Sequence, residues 1–193
     1  GRGTAVVLAR MGANGVVTGT GRDPDTFPQD EKDAGWRDIH STVEQIESYG
    51  VRALPLVSNV ADEDDVQKMI DDTVAEFGRL DIIHNNAIWF RNGKATDLDE
   101  KDWDRTLDVG LKSVFLSAKY GVPVMRETGG GSIVNTASVH SLVSFEEHTA
   151  YDAAKAGLLG LTRVLALDFG PDIRVNSVLP GAVLTPLWKG ISK

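Results

Sequence analysis

Residues 53–84 read ALPLVSNVADEDDVQKMIDDTVAEFGRLDIIH, and this stretch decides the fold. A short apolar run over 53–57 comes first. Residues 62–77 then place Val66, Met69, Ile70, Val74 and Phe77 on one face of a 3.6-residue period, which predicts a helix. Asp62, Glu63, Asp64 and Asp65 crowd its first turn, where the helix dipole favours negative charge. A second apolar run follows at 81–84. Strand, helix and strand in that order predict a parallel pair joined by a helical crossover.

The same alternation extends in both directions. Further strands are predicted at 15–18, 132–136 and 174–178. A helix is predicted over 100–125, with Trp103, Leu107, Leu111, Val114, Phe115 and Ala118 on a shared face. Another begins near Thr149 and stops at Gly170-Pro171. The expected class is α/β, a doubly wound parallel sheet with helices on both faces. The strands are mostly unbroken apolar runs, which predicts burial on both sides. Residues 20–38, rich in Asp, Pro and Gly with Trp36 near the end, predict a long polar loop inserted in the domain; loops of that length are usually functional or mobile.

Length and composition bound the function. A chain of 193 residues, 41% hydrophobic and 25% charged, suits one domain over 1–193. No apolar stretch approaches the roughly 18 residues of a membrane span. The net charge of −8, without a basic run, argues against nucleic acid as a partner, since phosphates need clustered Lys and Arg. The lack of Cys excludes disulfides, thiolate metal sites and Cys nucleophiles, and fits a cytoplasmic protein. No signal-peptide pattern is present. The first residue is Gly1, and the apolar run at Ala5 follows almost at once. The chain therefore reads as a fragment that starts inside an element.

Tyr151 and Lys155 stand four residues apart on a predicted helix, so both project from one face. An ammonium beside a phenol favours the phenolate, which makes the phenol a usable proton donor and acceptor. Alone, the pair decides little, because Tyr-x-x-x-Lys would occur by chance in roughly one such chain in seven. Ser138 adds context. It follows the predicted strand 132–136, and ligands of doubly wound sheets bind outside the carboxyl ends of the strands. His140, Glu146, Glu147 and His148 lie close in sequence but lack metal-ligand spacing on one element, so no metal is expected. His140 is read as lining the substrate cleft, and His148 as flanking the Tyr helix.

Together, Ser138, Tyr151-Asp-Ala-Ala-Lys155, Asn85-Asn86-Ala87 after a strand, and Pro180-Gly181 followed by Thr185 resemble the short-chain dehydrogenase/reductase family. The resemblance spans essentially the whole chain outside 20–38. It implies a Rossmann-like NAD(P)-dependent oxidoreductase that interconverts a carbonyl and a secondary alcohol. By position, Ser138 would hold the substrate oxygen, Tyr151 would transfer its proton, and Lys155 would hold the nicotinamide ribose. Substrate contacts would come from Ser138, His140 and Tyr151. Thr185 would contact the carboxamide, with Asn86, Ala87, Pro180 and Gly181 beside the cofactor. Asn59 and Val60, at the end of a strand, would face the adenine.

The family's glycine-rich loop, Thr-Gly-x-x-x-Gly-x-Gly, is represented only by its last glycine, placed at Gly1. The first strand and part of the C-terminal region are accordingly expected to lie outside this chain. Gly110 stands where the family has a catalytic Asn, Ile88 where it has Gly after Asn-Asn-Ala, and Asn59 where it has Asp. The position whose acid would select NAD falls near Gly19, and Arg22 follows. The reading leans to NADP over NAD, with Asp23 able to reverse it if the loop folds back. The family commonly forms dimers through the helices that hold Gly110 and Tyr151, so a homodimer or homotetramer is expected of an intact chain. Two alternatives stay open: a catalytically weakened dinucleotide-binding or scaffold protein of the same fold, and an inactive fragment.

Overall fold

The computed structural model describes residues 1–27, 29–33 and 38–183. These form two compact units, Gly1–Asn59 with Ala182 and Val183, and Val60–Gly181.

The first unit contains helix α1 (Arg2–Arg10), strand β1 (Gly15–Gly19), a 3-10 turn (Pro24–Thr26), a short helix α2 (Gln29–Asp33), helix α3 (Ile39–Glu47) and strand β2 (Ala53–Val57). β1 and β2 pair in parallel, with Gly15 opposite Ala53 and Gly19 opposite Val57. Ala9, Val43 and Ile46 are buried here. α3 starts sharply because Asp38 and Ser41 cap it reciprocally, each side chain serving the other residue's backbone N–H. Gly1 is the N-cap of α1. The expected loop over 20–38 is therefore partly structured, since the 3-10 turn and α2 fall within it. Asp23 nucleates the turn: its carboxylate accepts from the Asp25 N–H and its carbonyl from the Thr26 hydroxyl. Trp36 lies outside the described residues.

The second unit contains α4 (Glu63–Phe77), β3 (Ile82–Asn85), α5 (Glu100–Leu107), a π-helical turn (Asp108–Lys112), α6 (Ser113–Glu127), β4 (Gly131–Thr136), a 3-10 turn (Val139–Ser141), α7 (Thr149–Phe169) and β5 (Ile173–Val178). The strands run parallel in the order β3-β4-β5. α4 begins where its acidic turn predicts: Asp62 caps it by accepting from the Asp65 N–H, and Gly78 closes it in the left-handed region at φ 72°. One core gathers Ile70 of α4, Val122 and Met125 of α6 and Leu165 of α7 over Ile83, Ile133, Ile173 and Val175 of the sheet. That core covers a single face. β5 accordingly alternates, with Ile173 and Val175 buried and Arg174 and Asn176 exposed, where burial on both sides was expected. The helix predicted over 100–125 is three segments, because the backbone widens into a π turn around Gly110. Among the described residues, no helix is long and apolar enough to cross a membrane.

Candidate active site

The candidate groups meet at the carboxyl end of β4. The chain leaves the strand at Thr136, and Ser138 caps the 3-10 turn that follows, its Oγ accepting the backbone N–H of His140 at 3.2 Å. Ser138 is buried. α7 brings Tyr151 in its first turn and Lys155 one turn later. Lys155 is 3% exposed, and its Nζ donates to the Thr136 carbonyl at 2.6 Å. The same Nζ stands 5.7 Å from the centroid of the Tyr151 ring. Burial pushes the Lys155 ammonium down from 10.5 to about 8. Lys155 thus ties the strand end that precedes Ser138 to the ring of Tyr151. A second tie runs from Ser141 Oγ to the Lys155 carbonyl, at 2.7 Å.

The other expected positions divide between the two units. Asn86 lies near the same strand end, its Oδ1 accepting from Thr136 Oγ1 at 3.4 Å. Ala87 is exposed, and Val60 opens this unit. Pro180 and Gly181 lie beside the Ser138 turn, with the Pro180 carbonyl accepting the Val139 N–H at 3.1 Å. Gly1, Arg22 and Asn59 belong to the first unit. There Arg22 donates from Nε to Thr26 Oγ1 at 2.8 Å and from Nη2 to the Thr26 carbonyl, and its guanidinium lies over the Phe27 ring. Gly19 leaves the end of β1 without a side chain, and a β-carbon there would stand 2.7 Å from Ile39 Cγ2. Just past β2, Ser58 Oγ is buried with no hydrogen-bond partner among the described residues. Thr185 lies outside the described residues.

Gly110 is buried in the π turn, and the space a side chain would need there is taken by Ile88. His140 packs beside Tyr151, its ring edge-on with centroids 5.2 Å apart. His148 is the N-cap residue of α7 without a side-chain capping bond; its Nδ1 donates to the Glu146 carbonyl at 2.7 Å. Among the described residues, no three His, Asp or Glu side chains are grouped to hold a metal ion.

Sequence reasoning missed several contributors. Phe90, on the loop after β3, packs against Tyr151 at 4.8 Å between centroids. Asp152, inside the Tyr-x-x-x-Lys segment, accepts from His140 Nδ1 at 2.6 Å. Behind the site, Asn85 Nδ2 donates to Asn135 Oδ1, Asn135 Nδ2 to Thr162 Oγ1, and Thr162 shares a hydrogen with Ser177. This chain of polar groups crosses β3, β4, α7 and β5. Its only sequence signal was a pair of polar residues, Asn135 and Asn85, at strand positions that are otherwise apolar.

The family model described as enoyl-(acyl carrier protein) reductase matches residues 1–193. Trans-4-hydroxycyclohexanecarboxylate dehydrogenase of Sinomonas cyclohexanicum is 43% identical over 136 residues, 70% of this chain; the chain spans only about half of that relative, 52%. Cyclohexanol dehydrogenase of Acinetobacter sp. strain SE19 is 35% identical over 189 residues, 97% of this chain and 70% of the relative. The solved structure of carveol dehydrogenase from Mycobacterium avium in complex with NAD superposes with a TM-score of 0.84 at 32% identity, over 97% of this chain and 68% of that one.

Proposed function

The chain belongs to the short-chain dehydrogenase/reductase family of oxidoreductases, and on that premise we propose that the whole protein interconverts a carbonyl and a secondary alcohol with Tyr151 as acid and base. The observation that carries this reading is the buried Lys155 ammonium, held by Thr136 and placed 5.7 Å from the Tyr151 ring beside the Ser138 turn.

A bound nicotinamide dinucleotide would supply hydride to the carbonyl carbon, or accept it from the alcohol. The residues fit such a group: just past β2, the buried Ser58 Oγ has no partner among the described residues and is available to hydrogen-bond a polar ligand. By family position, the candidate dinucleotide contacts in the second unit are Val60, Asn86, Ala87, Pro180 and Gly181, and those in the first unit are Gly1 and Asn59. Ser138 Oγ accepts the His140 N–H, so its own hydrogen stays available for the substrate oxygen. Tyr151 delivers a proton to that oxygen in reduction and takes it back in oxidation. Lys155 spends one of its three hydrogens on Thr136; the others suit a ribose, and its charge stabilises a phenolate. The dinucleotide is NAD or NADP. The 19–22 stretch favours NADP, since no acidic side chain fits at Gly19 beside Ile39 and Arg22 supplies a cation in the same loop. Exposed Phe115, Val164 and Leu167 on α6 and α7 support a homodimer or homotetramer.

A second reading, a cofactor-binding protein with weakened catalysis, draws on Ile88 filling the space at Gly110. One experiment separates the two. The full-length protein is titrated with NADH and NADPH, then supplied with cyclohexanone, and loss of reduced-nicotinamide absorbance is followed. Turnover supports the enzyme. Binding without turnover across a panel of ketones and 3-oxoacyl thioesters supports the second reading.

A further inference from the structure

We propose that Asp152 is a positioning residue, which through His140 sets the spacing between Ser138 and Tyr151. The inference rests on the oxidoreductase reading above.

His140 is bonded to both halves of the site. Its backbone N–H donates to Ser138 Oγ at 3.2 Å, and its ring Nδ1 donates to Asp152 Oδ1 at 2.6 Å. Asp152 adjoins Tyr151 on α7, so the path from the Ser138 hydroxyl to the tyrosine helix runs through one residue and two hydrogen bonds. The second carboxylate oxygen of Asp152 accepts the Phe145 N–H at 3.4 Å, which restrains the far side of the same loop. The His140 and Asp152 side chains are only 17% and 14% exposed, so water competes little for the bond. The imidazole is also fixed by its neighbours: Phe145 at 4.6 Å, His148 at 4.9 Å and Tyr151 at 5.2 Å between ring centroids.

The bond adds to the other ties on the segment that carries Ser138. Ser138 sits on a single 3-10 turn, and the segment after it, Leu142, Val143 and Phe145, is exposed. The turn is tied to Lys155 through Ser141 and to Pro180 through Val139, and the Asp152 bond is the tie that reaches it through His140, the donor to Ser138 Oγ. A carboxylate in the first turn of a helix also gains from the helix dipole, but that benefit acts on stability alone. Positioning acts on rate, because a displacement of about 1 Å at a reacting group costs on the order of 10²-fold.

The test is steady-state kinetics on the full-length protein, with cyclohexanone and acetoacetyl-CoA as probe substrates and cofactor affinity measured by titration. Asp152→Ala is expected to lower kcat by about 10- to 100-fold with cofactor Kd unchanged. Asp152→Asn keeps an oxygen acceptor for His140 Nδ1 and is expected to recover kcat to within about threefold of wild type. Adding His140→Ala to Asp152→Ala is expected to cost little beyond either change alone, because both cut the same link. Should Asp152→Ala fail to fold, His140→Phe keeps a ring in the stack but removes the Nδ1 donor, cutting the link from the other side, and is expected to show the same kcat loss. Unchanged kcat in either variant, or losses that multiply in the pair, overturns the assignment. A fully active Tyr151→Phe overturns the parent reading and this assignment with it. An inactive Tyr151→Phe beside a fully active Asp152→Ala overturns this assignment alone.

Discussion

Ile88 and Gly110 share one volume: Ile88 Cδ1 lies 2.8 Å from where a β-carbon on residue 110 would stand, with Ala154 Cβ at 3.4 Å behind it. Two departures from the family pattern, a missing side chain at 110 and an added one at 88, are thus a single packing solution. Gly110→Ala gains helix propensity of about 1 kcal/mol but forces the Ile88 side chain out of its rotamer, at a cost of similar size. The expected result is little net stabilisation from Gly110→Ala alone and clear relief in an Ile88→Ala background. Denaturant unfolding of the four members of the cycle should give a coupling energy of about 1 kcal/mol in favour of the double variant. Strict additivity would contradict this account.

The polar chain behind the site should be costly to break. Asn135 is fully buried and bonded to both Asn85 and Thr162. Asn135→Leu strands those partners and is expected to lose roughly 1–3 kcal/mol of stability by urea unfolding. A change below about 0.5 kcal/mol would show that the chain does not hold β3, β4 and α7 together.

Lys155 gives the protein a pH-dependent stability of defined sign. Its folded pKa of about 8 lies below the ordinary 10.5, so between these values the unfolded chain binds more protons than the folded one. Stability therefore rises with pH across that window, and the cost of burying the charge is fully present below pH 8. Relative to Lys155→Met, the wild type should gain roughly 3 kcal/mol between pH 8 and 10.5. Parallel stability curves for the two proteins would refute the burial of a charged amine.

The strands were legible because each apolar run is bounded by polar or glycine residues. The predicted ranges 81–84 and 174–178 became Ile82–Asn85 and Ile173–Val178, a shift of one residue. Tyr151 and Lys155 were legible because their spacing is local to one helix. What the chain does around them was not. The link from His140 to Asp152 joins residues twelve apart across an irregular loop, and the contact of Ile88 with Gly110 joins a loop to a π turn. Helical periodicity also gave no sign of that π turn, because Leu107, Leu111 and Val114 keep a plausible apolar spacing through it. Such contacts depend on how elements pack, and no linear pattern encodes them.

The most direct test is turnover of the full-length Tyr151→Phe variant, with cofactor binding measured in parallel. The account predicts unchanged affinity for the dinucleotide and a rate reduced by about 10²-fold or more. A variant that retains more than about a tenth of the wild-type rate would contradict the assignment of Tyr151 as the proton donor.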